Sequence, residues 1–209
     1  PNGAYGWLEL SIGDALLARG DTITACSSFQ DCYSRARKTE NAVLSTESVV
    51  RLARVAYSTS DFPQAIQLFE KARARYIREL ENPQGEAEAL LGLGASYVML
   101  GDLKREVNNL DEARGLFTAL PDKGNLLMLR MYELFLEDEK LEEGTSPELI
   151  EAELESAKSL DCREPYLFGG ILLIRNHLRF KRRKEALEIA RTMFNDAIRS
   201  LPRFVVSIE

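Results

Sequence analysis

The chain has 209 residues, of which 45% are hydrophobic and 29% charged, a balance typical of a folded globular protein rather than a disordered segment. Its 27 basic and 33 acidic residues give a net charge of −6, which does not favour a general nucleic-acid binder. No apolar run is long enough to span a bilayer, and no signal peptide is visible. Because the sequence begins with Pro1, we expect it to be a piece of a longer protein.

Helical periodicity dominates the sequence, and start and stop signals recur in pairs. Gly-Asp at 20–21 and at 101–102 places a left-handed glycine beside an aspartate that can cap the next helix. Ser-Asp at 60–61 serves the same purpose without glycine, and Ser-Pro at 146–147 is typical of a helix start. Only the tail 204–208 could be extended. The predicted helices cover 5–19, 22–38, 42–58, 62–80, 84–100, 103–119, 123–138, 147–160, 165–180 and 183–200.

The starts of the second helix of each pair resemble one another at a nearly constant interval. Ala25, Ala65, Glu106, Ile150 and Ala186 occupy equivalent positions, separated by 40, 41, 44 and 36 residues. A period in this range is typical of a solenoid of helical hairpins. The sequence therefore predicts a single repeat domain over 1–209, with repeats at 5–38, 42–80, 84–119, 123–160 and 165–200.

The third repeat contains the clearest motif. It reads Leu90-x-x-Leu93-Gly94-x-x-Tyr97, followed by Leu110 and Ala113 on the second helix. This pattern resembles the tetratricopeptide repeat (TPR) family, with leucine where the family has tryptophan. The second repeat is similar, with Tyr57, Ala65, Phe69 and Ala72 in matching places.

The period of about 40 resembles the long-helix variety of TPR proteins, which includes spindle-orientation adaptors, kinesin light chains and bacterial peptide-sensing regulators. The resemblance implies an all-α, right-handed α-solenoid of about five TPR-like hairpins. Glu106 replaces the expected alanine, and the fourth repeat has an acidic loop at 137–144 and no clear signature. An unrelated helical array such as HEAT repeats is the competing interpretation.

Small residues in the motif predict close approach between helices. Gly13, Ala53 and Gly94 lie where a second helix should approach its first helix. Gly169-Gly170 is also interpreted as a site of close helix packing, because it falls inside a helical pattern and matches no phosphate-binding motif.

The reactive side chains are too few for most catalytic or metal chemistry. Cys26, Cys32 and Cys162 are scattered, and we interpret them as reduced thiols of a cytoplasmic protein. The one histidine, His177, lies among arginines and is interpreted as a groove or surface residue. We therefore expect neither an enzyme nor a bound metal or cofactor.

Function in a helical solenoid is expected on the concave groove lined by the first helix of each pair. A chaperone-tail clamp is not supported, because Asp14, Arg54 and Ala95 stand where that clamp uses lysine and asparagine. Each groove candidate could instead pack against a neighbouring hairpin. The candidates are Arg54, Tyr57, Leu91, Ala95, Val98, Ile171, Arg175, Leu178 and Arg179.

Two functions follow from the resemblance. The first is a non-catalytic protein- or peptide-binding scaffold or adaptor. The alternative is a regulatory sensor module of a larger signalling protein, such as a transcription regulator or kinase. The acid-rich segment 133–155 and the basic segment 175–184 are either solvated faces or contact surfaces, including surfaces for self-association. Nucleic acid and membrane are not expected as partners.

Overall fold

The computed structural model describes residues 2–120, 122–140 and 144–200, and this part of the chain is helical with no strand. The predicted all-α repeat array is confirmed. The tail 204–208 lies outside the described residues. The helices are α1 (Asn2–Ala18), α2 (Thr22–Lys38), α3 (Ala42–Ser58), α4 (Phe62–Arg75), α5 (Pro83–Leu100), α6 (Leu103–Ala119), α7 (Lys123–Lys140), α8 (Pro147–Ser159), α9 (Arg163–Arg179) and α10 (Arg183–Ser200).

Side-chain caps set the starts of α2 to α6. In each case an Asp or Asn oxygen accepts a hydrogen bond from the backbone N–H three residues later, which satisfies one of the unpaired donors of the first turn. The capping residues are Asp21, Asn41, Asp61, Asn82 and Asp102. Ser146 differs from the predicted cap, because its hydroxyl donates to the Glu148 carboxylate and makes no bond to a backbone N–H.

Left-handed residues end several helices, as the sequence predicted. Gly20 has φ of 82° and Gly101 has φ of 74°. Ser60 takes φ of 63° at the equivalent place between α3 and α4, so the turn forms there without glycine.

The predicted helix over 62–80 is wrong in its last turn. The α-helix ends at Arg75, and a π turn continues over Tyr76–Leu80. Tyr76 is 2% exposed, and its ring lies so close to Gly85 that a Cβ there would be 2.3 Å from it. The wider turn therefore coincides with a bulky side chain anchored in the core, a constraint that periodicity does not reveal.

Helix contacts divide the chain into two compact units, unit 1 (Pro1–Asp122) and unit 2 (Lys123–Glu209). In unit 1, α1 to α6 form three hairpins, and α2 also packs on α3 and α4 on α5. The first helices contact one another, α1 with α3 and α3 with α5. Within the described part of unit 1, the backbones of α2 and α4, and those of α4 and α6, do not approach closely. Long side chains bridge these pairs instead: Lys71 Nζ lies 3.2 Å from the Tyr33 hydroxyl, and Arg73 Nη2 lies 2.5 Å from Glu112 Oε2.

This contact pattern shows which side of unit 1 is concave. First helices lie side by side, whereas α4 and α6 are separated by a groove lined from α5 by Leu93 and Tyr97. Helices on the inner side of a curved array lie closer together than those on the outer side. The first helices α1, α3 and α5 therefore form the inner layer of unit 1, as the family resemblance implied.

Small residues lie at the hairpin contacts of unit 1, as predicted. A Cβ at Gly13 would be 2.3 Å from the Phe29 ring, and a Cβ at Gly94 would be 2.4 Å from Leu110 Cδ2. Ala53 is fully buried. Each second helix can therefore reach its first helix only because the side chain at these positions is small or absent.

Unit 2 repeats the arrangement with α7 to α10. α7 contacts α8 and α9, and α9 contacts α8 and α10. The core contains Met131, Leu134 and Ile150. A Cβ at Gly169 would be 2.6 Å from Met131 Cε, and one at Gly170 would be 2.0 Å from Met193 Sδ, so close packing at this glycine pair is confirmed.

Candidate functional site

The inner layer of unit 1 carries polar side chains that connect α1, α3 and α5. We call this set, together with the neighbouring Tyr57 and Leu91, the first-helix surface. Its polar members are Asp14, Glu47, Arg51, Arg54, Gln84, Glu88 and Asp122, the last of which follows α6 and contacts α5.

Arg51 joins α1 to α3. Its Nε lies 3.0 Å from Asp14 Oδ2, and its Nη1 lies 2.7 Å from Glu47 Oε2. Burial alone would lower the pKa of the Arg51 guanidinium, but the hydrogen bond to Glu47 and the charge of Asp14 outweigh it and raise that pKa. This cation is therefore held by two carboxylates of its own chain.

Glu47 links the surface to the core. Its second oxygen accepts a hydrogen bond of 2.7 Å from the Tyr76 hydroxyl. Burial first, and then the bond to this carboxylate, raise the pKa of Tyr76 well above its ordinary value, so the phenol stays protonated. Glu47 thus has a hydrogen bond on each oxygen, which holds it in place.

Glu88 on α5 is less well compensated. Gln84 Nε2 lies 3.4 Å from one of its oxygens and 2.8 Å from Asp122 Oδ2. Arg54 Nη2 lies 3.8 Å from the other Glu88 oxygen, which is a long ion pair. Burial raises the pKa of Glu88, and although Arg54 and Gln84 oppose that rise they do not cancel it.

The predicted apolar residues of unit 1 fall into two groups. Tyr57 and Leu91 are half-buried, and the Tyr57 ring meets the Phe62 ring edge-on with centroids 5.6 Å apart. Ala95 and Val98 are buried, at 5% and 7% exposure, because α5 lies between α3, α4 and α6. Tyr57 and Leu91 therefore offer surface beside Arg54 and Glu88, whereas Ala95 and Val98 lie in the packed interior.

In unit 2 the predicted residues surround a buried carboxylate. Asp138 is fully buried, and its Oδ1 accepts hydrogen bonds from Thr145 N at 3.1 Å and Asn176 Nδ2 at 3.0 Å. The same Asn176 nitrogen donates to Thr145 O at 2.7 Å. This network fastens the segment that follows α7 to α9.

Both predicted arginines of unit 2 pair with this acidic segment. Arg175 Nη2 lies 3.6 Å from Asp138 Oδ2 and also contacts the Glu139 carboxylate, and its guanidinium lies 4.6 Å from the Phe135 ring centroid. Arg179 Nη1 lies 3.5 Å from the same Asp138 oxygen. Acidic and basic segments thus meet within one chain, and an outside partner would have to compete with these pairs.

Other predicted residues of unit 2 lie on its surface or in its interior. Ile171 and Leu178 are exposed, at 62% and 53%. His177 is 7% exposed, so its expected place in a groove or on the surface is corrected. It lies in the layer of α9 that also buries Asn176. Among the described residues, no three His, Cys, Asp or Glu side chains are grouped so that they could hold a metal ion.

Glu88 and Asp138 were not among the predicted site residues. Glu88 lies three residues before Leu91 and four after Gln84, so a helical stripe extended toward the start of α5 would have included it. Asp138 lies within a run of acids, which is normally a solvated face, and only the fold shows that it is buried.

Comparison with known proteins identifies the repeat. Residues 43–119 match the model of the tetratricopeptide repeat family, and they include α4 to α6 and all but the first residue of α3, with Tyr57, Leu91 and the Gly94 contact. Residues 43–119 carry tetratricopeptide repeats. The chain is a protein-interaction repeat module. No curated protein matches the sequence.

Solved structures share the TPR fold of this chain at low sequence identity. Aspartyl phosphate phosphatase F from Bacillus subtilis is 17% identical with a TM-score of 0.77, covering 100% of this chain and 52% of that protein. A Rap protein complexed with competence and sporulation factor is 19% identical with a TM-score of 0.70, covering 90% and 50%. The Rap conjugation gene regulator of plasmid pLS20, in complex with the Phr* peptide, is 15% identical with a TM-score of 0.64, covering 92% and 55%.

These likenesses concern the fold alone, and this chain spans about half the length of the three proteins. None of its described helices is both long and apolar enough to cross a membrane. Its cysteines are free thiols, and Cys32 is buried, where its Sγ lies 3.4 Å from the carbonyl oxygen of Gly6.

Proposed function

We propose that this TPR chain is a non-catalytic scaffold or adaptor module that binds a protein or peptide on the first-helix surface of unit 1. The observation that carries this function is the continuity of that surface. Side chains from three successive hairpins meet there in one polar band, with Tyr57 and Leu91 half-exposed beside it. Apolar anchors next to directed polar groups suit an extended or helical peptide.

Tyr57, Leu91 and Arg54 are the residues proposed to make most of the contact in unit 1. Tyrosine and arginine concentrate binding energy at interfaces when they are partly enclosed. In unit 2, Ile171 and Leu178 form a second candidate patch with Arg175 and Arg179 on α9. A partner there has to satisfy two arginines that already pair with Asp138 and Glu139.

A regulatory sensor module of a larger signalling protein is the second candidate function. It is favoured by the fold shared with the pLS20 regulator, whose structure holds a peptide. The two functions differ in what ligand binding changes. A sensor alters its conformation when it binds, whereas a scaffold with a preformed surface changes little. Small-angle scattering with and without a selected peptide would separate them.

A location in the cytoplasm and an absence of catalysis are parts of the same proposal. Free, partly buried thiols suit a reducing compartment. Self-association through the acidic and basic segments of unit 2 would have to displace the pairs that Arg175 and Arg179 make within the chain. Sedimentation velocity over a range of protein and salt concentrations tests that possibility.

The binding surface can be tested with a phage-displayed library of random dodecapeptides selected on the immobilised 209-residue chain. Selected peptides are synthesised with a fluorophore and titrated by anisotropy. Leu91→Ala should weaken binding by about tenfold, since it removes the apolar anchor without adding a charge. Ile23→Ala is the matched control, because Ile23 is 84% exposed on a second helix. Equal effects of the two substitutions would refute binding on the first-helix surface.

A further inference from the structure

The first-helix surface of unit 1 holds more carboxylates than cations. Among its described residues, the cations are Arg51 and Arg54, and the carboxylates that face them are Asp14, Glu47 and Glu88. An excess of this kind on a half-buried surface creates a negative potential that favours a positively charged ligand group.

The two arginines differ in how closely they pair with the carboxylates of this surface. Arg51 lies within 3.0 Å of Asp14 and within 2.7 Å of Glu47, so its guanidinium is committed to them. Arg54 is left to compensate Glu88, and it does so at 3.8 Å with a side chain that is 48% exposed. The carboxylate surplus of the surface is therefore concentrated on the α5 side, around Glu88.

Glu88 combines partial burial with a distant cation. Its side chain is 33% exposed, and its neighbours include Glu47 and Asp122, both of which add negative charge. A carboxylate removed from water without a close cation is unstable, and a guanidinium or ammonium group brought against it relieves that cost. Leu91, one helical turn away, and Tyr57 provide apolar surface for the aliphatic stem of such a side chain.

We infer, on the basis of the proposed function, that the ligand of the first-helix surface is a peptide that places an arginine or lysine side chain against Glu88. An acidic peptide is disfavoured at the same place. To reach Arg51 it would have to displace two close ion pairs, and to reach Arg54 it would have to approach Glu88.

A charge swap tests this inference. Peptides selected from the random dodecapeptide library are synthesised in pairs, one with its basic residue and one with glutamate at that position. Both are titrated against the parent chain, Glu88→Lys, Glu88→Gln and the control Glu70→Lys. Glu70 is an exposed residue of α4, so its reversal makes the same change in net charge away from the first-helix surface. Circular dichroism checks that each variant is folded.

We expect selected peptides to be enriched in arginine and lysine. The basic peptide should bind the parent at least about tenfold more tightly than its glutamate partner, and Glu88→Lys should reverse that order. Glu88→Gln, which preserves the shape of the side chain, should lose most of the preference. Glu70→Lys should change both affinities alike and by less than about threefold.

Several results would overturn the inference. If Leu91→Ala weakens binding but the selected peptides carry no basic excess, the first-helix surface binds peptides of another class. A different result would be that Glu88→Gln still prefers the basic peptide and that Glu88→Lys and Glu70→Lys reduce this preference equally. The attraction would then depend only on the net charge of the chain. If the library yields no peptide above background, both the inference and the proposed function fail.

Discussion

At the scale of single residues, the contact between α5 and α6 depends on the absence of a side chain at position 94. A Cβ there would lie 2.4 Å from Leu110 Cδ2 and 2.7 Å from Leu110 Cγ. Gly94→Leu should therefore lower the free energy of unfolding by about 1–3 kcal/mol through overpacking. The measurement is a urea denaturation curve. Gly115→Leu is the control, since a Cβ at Gly115 meets nothing within 4 Å, and it should not destabilise the chain.

Glu88 makes the stability of unit 1 depend on pH in a defined direction. Burial raises the pKa of Glu88 above its ordinary value. Below the unfolded-state pKa the side chain is neutral in both states and costs nothing, whereas at neutral pH the folded state must hold it charged. Glu88→Gln, a neutral isostere, should therefore raise the denaturation midpoint near pH 7 and leave it unchanged near about pH 3.5.

The matched substitution for this pH test is Glu70→Gln on the exposed face of α4. It removes the same charge, so it should leave the pH dependence of the midpoint as in the parent. Arg54 loses its carboxylate partner in Glu88→Gln, but a 3.8 Å pair on a half-exposed side chain contributes little. A lower midpoint for Glu88→Gln at neutral pH would show that the ion pair outweighs the burial of the charge.

Sequence reasoning at the residue scale predicts which face of a helix a side chain occupies, but not what covers that face. Leu91 and Ala95 lie on one stripe of α5, yet Leu91 is half-exposed and Ala95 is 5% exposed. The difference arises because α3, α4 and α6 all pack against α5. The angles at which they cross α5 decide which of its side chains they cover. Asp138 shows the same limit, since an acid in a charged run is buried only through the fold of unit 2.

At the scale of elements, helix boundaries were predictable because their signals are local. Asp21, Asp61 and Asp102 cap the helices that they were expected to cap, and Gly101 takes the left-handed conformation after α5. The π turn after Arg75 was not predictable, because it accompanies the packing of Tyr76 against Gly85 of the next helix and its hydrogen bond to Glu47, which lies 29 residues earlier.

The end of α5 offers a test of this local control. Gly101 has φ of 74°, a region that costs a residue with a Cβ about 1 kcal/mol or more. Gly101→Ala should therefore destabilise the chain by about 1 kcal/mol in thermal denaturation. Gly115→Ala replaces a glycine inside α6 and should instead stabilise by about 0.5–1 kcal/mol. If both substitutions shift the melting midpoint in the same direction, the left-handed cap at Gly101 does not control the end of α5.

At the scale of the whole molecule, the contacts between the described helices of each unit pass within a hairpin or between adjacent hairpins. In unit 1, α5 contacts α3, α4 and α6, and in unit 2, α9 contacts α7, α8 and α10. A nearest-neighbour array of this kind stabilises each hairpin through its own packing and the two interfaces beside it. Disturbance of one hairpin is therefore expected to spread only to its neighbours.

Hydrogen-exchange mass spectrometry on Gly94→Leu tests that expectation. Overpacking between α5 and α6 should speed amide exchange in those helices, and in α4, which packs against α5. Exchange in α8, α9 and α10 should match the parent, because these helices belong to unit 2, whose own core contains Leu134, Ile150 and Leu172. Gly115→Leu should leave every helix as in the parent. Equal acceleration in α4–α6 and α8–α10 would mean that the repeats open as one cooperative body rather than hairpin by hairpin.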